Sequence, residues 1–173
     1  GCTPEERHIL EAASILHDVG QLVSYKSHHR HSYQLIMHAD RIGLGARERS
    51  LVALVSRYHR RRGPKRSDPE FAALSPDDQA LVRRTAGLLR VADGLDRGHT
   101  AVVDQVRAEL TKKKLVLRIA PRRAGANMEL EGWAARRKAD VLQKVLGRKI
   151  TINASLALAD PPAAGERRRV TRR

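Results

Sequence analysis

The apolar residues of this chain recur at helical spacing up to about residue 100 and alternate beyond it, so one architecture cannot serve the whole length. Thr3, Pro4 and Glu6 stand as N-cap, first-turn proline and capping-box glutamate, and Ile9, Ala12, Ala13 and Leu16 follow on one helical face. The pattern predicts a first helix to about Val19, stopped by Gly20. A polar loop over residues 21–30 leads to a short helix over 31–39, and a third helix carrying Leu51, Leu54, Val55 and Tyr58 ends near Arg60. Ser75, Pro76 and Asp78 start a long helix that runs through Leu95 and closes at Arg97 and Gly98.

Past residue 100, Val106, Ala108 and Leu110 alternate, then Leu115, Leu117 and Ile119, with three lysines at the turn, which predicts a hairpin. Residues 128–130 are read as a further strand, 133–146 as a helix bearing Ala134, Val141 and Val145, and 149–156 as a strand after the terminator Gly147. The fold class is therefore mainly α: a helical domain over 1–99, a small α+β subdomain over 100–159, and a basic tail over 160–173 whose lack of apolar period predicts disorder.

Charge narrows the partners. Thirty-four Lys and Arg against nineteen Asp and Glu leave +15, and the excess is +4 over residues 1–100 but +11 over 101–173. Such a chain attracts polyanions. Arg57, Arg60, Arg61, Arg62, Lys65 and Arg66 put six cations in ten residues around Gly63 and Pro64, an expected exposed basic loop. One cysteine, Cys2, excludes an internal disulfide and a thiolate zinc cage. No run reaches the ~18 to 20 apolar residues that cross a bilayer, so no membrane partner and a cytoplasmic location are expected. With five aromatics (Tyr25, Tyr33, Tyr58, Phe71, Trp133), a base-stacking surface is poorly supplied and nucleic acid is disfavoured against simple phosphate.

Helical phase brings ionisable groups inward. His17 falls with Leu10 and Ala13, His59 with Val52 and Val55, and Asp93 with Val82, Ala86 and Leu89, while Asp96 borders the same long stripe. A buried carboxylate must meet a proton, a cation or a hydrogen-bonding partner. The group fits either a His/Asp site for a divalent metal such as Mg or Mn, or a metal-free buried hydrogen-bond network. Of the cluster His28, His29 and His31, the first reads as a solvated loop residue and His31, which begins a face with Leu35 and His38, as the one over the core mouth. His8 phases to the far side of its helix, and His38 and His99 read as surface residues.

The segments EAASILHDVG (11–20), SHHRHSYQLI (27–36), VSRYHRRRGP (55–64) and LLRVADGLDR (88–97) occur in the order and spacing of an HD-type helical domain. More closely, with MELEGWAARRKADVLQKVLGRKITI (128–152), the chain resembles the C-terminal region of the exopolyphosphatase and guanosine pentaphosphate phosphohydrolase (Ppx/GppA) family over roughly residues 4–156.

The resemblance implies an HD-type helical domain followed by a small α+β unit. It further implies a cytoplasmic hydrolase releasing terminal phosphate from inorganic polyphosphate or a guanosine polyphosphate, with this region holding the polyanion and forming a homodimer. Carried onto HD-type metal sites, the matching positions are His17, Asp18, His31, His59 and Asp93. One HD ligand has no counterpart: HD metalloenzymes place a further histidine well upstream of the dipeptide. No catalytic residue is assigned to this chain, because the family's phosphate-releasing site belongs to N-terminal actin-like domains whose glycine-rich loops and catalytic glutamate have no match here. The chain is expected to be a fragment or a detached domain of that enzyme. Its polyanion contacts are expected at Lys26, Arg30, Arg57, Arg60, Arg61, Arg62, Lys65, Arg66 and Arg90. The alternatives are an independent HD-type metal-dependent nucleotide phosphohydrolase and a nucleic-acid-binding module.

Overall fold

In the computed structural model, which describes residues 2–155, the change of period separates a helical layer from a small sheet. Helix α1 (Pro4–Leu16) begins as expected: Thr3 Oγ1 accepts from the Glu6 amide at 3.1 Å, and Glu6 Oε2 accepts from the Thr3 amide at 2.9 Å. It ends earlier than predicted, and a 3-10 turn (Val19–Leu22) follows. Next come α2 (His28–Met37), α3 (Ala46–Tyr58), a single turn α4 (Pro69–Ala72) and the long α5 (Pro76–Leu95), capped by Ser75.

Strands β1 (Val103–Leu110) and β2 (Lys114–Pro121) form the expected antiparallel hairpin, with Val106 opposite Ile119 and Ala108 opposite Leu117. Helices α6 (Glu129–Lys138) and α7 (Asp140–Leu146) then carry the chain to β3 (Lys149–Ala154), which lies parallel to β2 in the order β1-β2-β3. The central β2 buries Leu115, Val116, Leu117, Ile119 and Ala120.

Three local expectations are corrected. Residues 128–130 open α6 rather than forming a strand: Asn127 Oδ1 accepts from the Glu129 amide at 2.7 Å, and the Met128 carbonyl already accepts from the Gly132 amide at 2.9 Å. The helix expected over 133–146 is two helices broken at Ala139, whose amide bonds back to Arg136, three residues away, instead of four. The second helix starts at His28, not residue 31, because Ser27 takes φ +61° and turns the chain into it. The tail expected over 160–173 lies outside the described residues.

Helix α5 belongs to two cores. Its Leu81, Val82, Ala86 and Leu89 pack with Ile9, Ile36, Leu51, Leu54 and Phe71, whereas Val91 and Leu95 pack with Leu117, Ile119, Ala135, Leu142 and Ile152. Each such buried Leu, Val, Ile or Phe side chain contributes roughly 1.5 to 3 kcal/mol, so α5 serves as the spine that both layers share. Gly94 sets how closely the second layer approaches: a Cβ there would stand 2.5 Å from Ala135 Cα. Only glycine lets α6 lie this near the end of α5.

Candidate metal and anion site

The dipeptide His17–Asp18 follows α1, and a second close approach presses it against α2. A Cβ on Gly20 would meet the His28 carbonyl oxygen at 2.2 Å and the Ser32 nitrogen at 2.3 Å. With glycine there, Ser32 Oγ donates to the His17 carbonyl at 2.6 Å and accepts from the Gly20 amide at 2.9 Å. These bonds turn the Asp18 carboxylate toward the first turn of α2 and the end of α3.

Three donors converge there. Asp18 Oδ1 lies 3.1 Å from His28 Nε2 and 3.5 Å from His59 Nε2, and the two nitrogens are 3.2 Å apart. His28 and His59 are buried, and Asp18 is half-buried. Asp18 Oδ1 is itself shut off from solvent and has no hydrogen-bond partner among the described residues. Ligands held at ~2.1 Å from a divalent ion stand about 3.0 to 3.4 Å from one another; two edges of this triangle fall in that range and the third, at 3.5 Å, is just longer.

The proton positions decide what the triangle can do. His59 Nδ1 donates to the Ser56 carbonyl at 2.5 Å, which leaves its Nε2 a bare lone pair. His28 has two choices. If Nδ1 accepts from Arg60 Nη1 at 3.1 Å, then Nε2–H donates to His59 Nε2 and a metal-free network closes. If Nδ1–H donates to the Tyr25 carbonyl at 3.2 Å, both Nε2 lone pairs face Asp18. Only the second arrangement, with a cation, also satisfies Asp18 Oδ1, so the donor set fits a divalent metal. Burial favours the neutral form of both rings: it lowers the pKa of His28, partly offset by Asp18, and pushes His59 down to about 4.

Other expected site residues fall around this group. His17 turns inward, its ring 4.9 Å edge-to-face from that of His59, its Nδ1 donating to the Ser14 carbonyl at 2.8 Å, and its Nε2 3.7 Å from Asp18 Oδ2. Asp93 also faces the cluster, but its carboxylate is paired with the Lys138 ammonium from α6. Burial opposes the Asp93 charge; Lys138, with His59 and His17 beyond it, outweighs burial and holds the pKa below the ordinary carboxylate value. Asp18, Gln21, Tyr25, His28, His59, Arg60, Asp93, Arg97, His99 and Lys138 line one cavity of about 110 Å³.

Two expectations change here. His28, read as a solvated loop residue, supplies the donor expected of His31, which is half-buried on the same helix and outside the group. Starting the helix at residue 28 puts His28, Ser32 and Ile36 on one buried stripe, and that was the signal to use. His31 shares instead the face of Leu35, which is 39% exposed. Asp96 is exposed rather than interior, accepting from the Ala101 amide at 3.1 Å. Gln21, Tyr25, Arg97, His99 and Lys138 reach the cavity without a sequence signal, except that His99 is exposed as expected.

Beside the cavity lies the basic loop. Lys26, His29, Arg60 and Arg61 line one concavity of about 240 Å³; Arg30, Arg57 and Arg62 join His29, Arg60 and Arg61 in another of about 280 Å³; Arg62, Lys65 and Arg66 edge a third of about 550 Å³ with Arg83 and Lys144. His29 is buried between the first two, its Nδ1 has no hydrogen-bond partner among the described residues, and burial together with His28 and nearby arginines pushes its pKa down to about 4. Four of the nine expected cations are partly or wholly engaged: Arg60 lies over the Tyr25 ring and 3.1 Å from His28 Nδ1, and three others are held as follows. Arg57 lies 3.0 Å from Glu70 and over the Tyr33 ring, and Arg62 is bidentate on Asp68. Arg90 is a correction: only 3% exposed, it donates to the carbonyls of Tyr58 and Arg61, each at 3.1 Å, and to Asp140 Oδ1 at 2.9 Å. It braces the loop from beneath and does not face solvent.

Against known families, residues 2–137 match the sequence model described as Ppx/GppA phosphatase, domain III. The match spans the helical layer, the hairpin and nearly all of α6, and it includes Asp18, His28 and His59.

Proposed function

The chain belongs to the Ppx/GppA phosphatase family, and from that membership we propose that it is the polyanion-binding portion of an exopolyphosphatase-like hydrolase. It holds inorganic polyphosphate or a guanosine polyphosphate while actin-like domains of the full protein release terminal phosphate. The observation that carries this reading is the row of concavities along the basic loop. There Lys26, Arg30, Arg61, Lys65 and Arg66 have no ion-pair partner among the described residues. A row of unpaired cations suits a linear phosphate chain, whose binding then releases counterions and weakens steeply with salt. The same proposal keeps a helical HD-type unit over 1–99, an α+β unit over 100–159, a cytoplasmic setting and self-association. The last draws on the exposed Val106 and Leu110 of the edge strand β1.

Competition binding tests it. Long-chain polyphosphate should displace bound DNA or RNA at equal phosphate concentration, and affinity should fall linearly in log–log against salt. Nucleic acid that resists displacement would leave the third reading, a nucleic-acid module, in its place.

A second reading is favoured by the unpartnered Asp18 Oδ1: an HD-type, metal-dependent nucleotide phosphohydrolase. Asp18, His28 and His59 would hold the ion, with His17 alongside. When bound, such an ion supplies Lewis-acid polarisation of a phosphoryl oxygen. The chain's own part is orientation: the Tyr25 and Ser56 carbonyls accept from the two Nδ1–H groups and point both Nε2 atoms inward, while Arg60 and Arg97 at the cavity favour an anionic substrate. Stoichiometric metal in the purified chain, with phosphate release abolished by His28→Ala and by Asp18→Asn, would raise this reading above the first.

A further inference from the structure

Asp93 is the carboxylate that α5 brings to the cluster, yet it is not among the three converging donors. Its partner is Lys138, which comes from the other layer of the fold. Gly94, the next residue on α5, lets Ala135 of α6 approach closely, and Lys138 follows Ala135 by one helical turn, so the ammonium is delivered onto Asp93. The pair is largely desolvated, with side-chain exposures of 11% for Asp93 and 21% for Lys138. It lies on the wall of the cavity that also holds Asp18, His28 and His59.

We infer that Lys138 is an internal competitor cation that sets the metal affinity of the Asp18–His28–His59 centre by withholding Asp93 from it. This rests on the metal-centre reading above. Two effects act in the same direction. The ammonium occupies the carboxylate that would otherwise serve as a further ligand, and its positive charge repels a divalent ion in a poorly solvated cavity. Asp18 and Asp93 together carry −2, which a divalent ion alone would neutralise; with Lys138 present, the loaded centre is left at +1. The centre therefore binds an ion weakly while α6 lies against α5, and tightly once the ion pair opens. Lys138 is a positioning residue, acting through Asp93.

Cobalt(II) serves as the probe, because its visible spectrum reports ligand number as well as occupancy. In equilibrium dialysis of the 173-residue chain, Lys138→Met should bind Co²⁺ at least about tenfold more tightly than wild type, with a changed absorption band as Asp93 joins the ligands. Lys138→Arg should keep the wild-type affinity. Asp93→Asn should weaken Co²⁺ binding in the wild-type background, because Lys138 is left unneutralised beside the ion, and should erase the gain in the Lys138→Met background. If Lys138→Met is unstable without metal because Asp93 is left unpaired, Co²⁺ should raise its melting temperature more than that of wild type; an equal or smaller rise counts against the inference. Equal Co²⁺ affinity in wild type and Lys138→Met would overturn the role of Lys138 and leave the metal centre standing. Failure of both chains to bind would overturn the two together.

Discussion

His28 Nε2 stands 3.2 Å from His59 Nε2, from the start of one helix to the end of the next, with the ring planes only 11° apart. One proton fits between the two nitrogens and two do not. The contact is therefore a single hydrogen bond or a pair of lone pairs sharing a cation, and the tautomer of His28 chooses between them. Arg60 favours the first state and the Tyr25 carbonyl the second, both at the same Nδ1.

This relationship makes the metal-site residues separable by mutation. His28→Ala and Asp18→Asn should each weaken Co²⁺ or Zn²⁺ binding at least about tenfold, since the first removes a donor from a three-donor set and the second removes the only anionic charge in it. His31→Ala should leave the affinity unchanged. Metal content after dialysis, with circular dichroism to confirm the fold, checks all three.

Gly20→Ala should destabilise the chain by about 2 kcal/mol or more. The new methyl would meet the His28 carbonyl and the Ser32 nitrogen, both backbone atoms of the first turns of α2, which can yield only by moving the helix. Denaturant unfolding measures the loss. The variant should also lose metal affinity, because Asp18 and His28 are held in register by this contact.

Asp68 supplies a pH-dependent term. Hydrogen bonds from Arg62, opposed by burial and helped by the Lys65 amide and the Tyr58 hydroxyl, bring its pKa down to about 2 from 3.8. The folded-state pKa is depressed, so its stabilisation is full above pH 3.8 and disappears as pH falls through about 2. Asp68→Asn should cost about 1 to 2 kcal/mol at pH 6, the half-exposed Arg62 partner being screened by solvent. The gap to wild type should close towards pH 2 in thermal or urea unfolding.

The basic residues should divide into two classes. Arg61→Ala, Lys65→Ala and Arg66→Ala should leave stability nearly unchanged, weaken polyphosphate binding, and each reduce the salt slope by about one. Arg90→Ala should instead destabilise by about 2 to 3 kcal/mol, because the Tyr58 and Arg61 carbonyls lose their shared donor. Arg90→Lys should not restore stability, as one ammonium cannot span three acceptors in the guanidinium plane. Chemical unfolding and salt-dependent binding of the same variants separate the classes.

The capping box at Thr3, the long helix after Ser75 and the hairpin between Leu110 and Leu115 were legible because each is a short-range pattern: a cap within one turn, a period of 3.6, an alternation of two. The same phase arithmetic turned His17, His59 and Asp93 inward correctly. It failed at His28, where the start of a helix depended on Ser27 in the left-handed region. It failed again at residues 128–130, where an asparagine side chain opened a helix in what reads as a strand.

The sequence by itself determined the change from a helical layer to a small α+β unit near residue 100, the family, the basic rim and most of the helical faces that carry ionisable groups, since these follow from spacing and charge along one chain. Only the tertiary structure decided that Asp18 meets His28 rather than His31, that Arg90 is a brace and not a contact, and that Lys138 claims Asp93. Those pairings join residues 10 to 50 positions apart. They depend on how closely two helices approach, which Gly20 and Gly94 set through atoms they lack and which no pattern within a single element encodes.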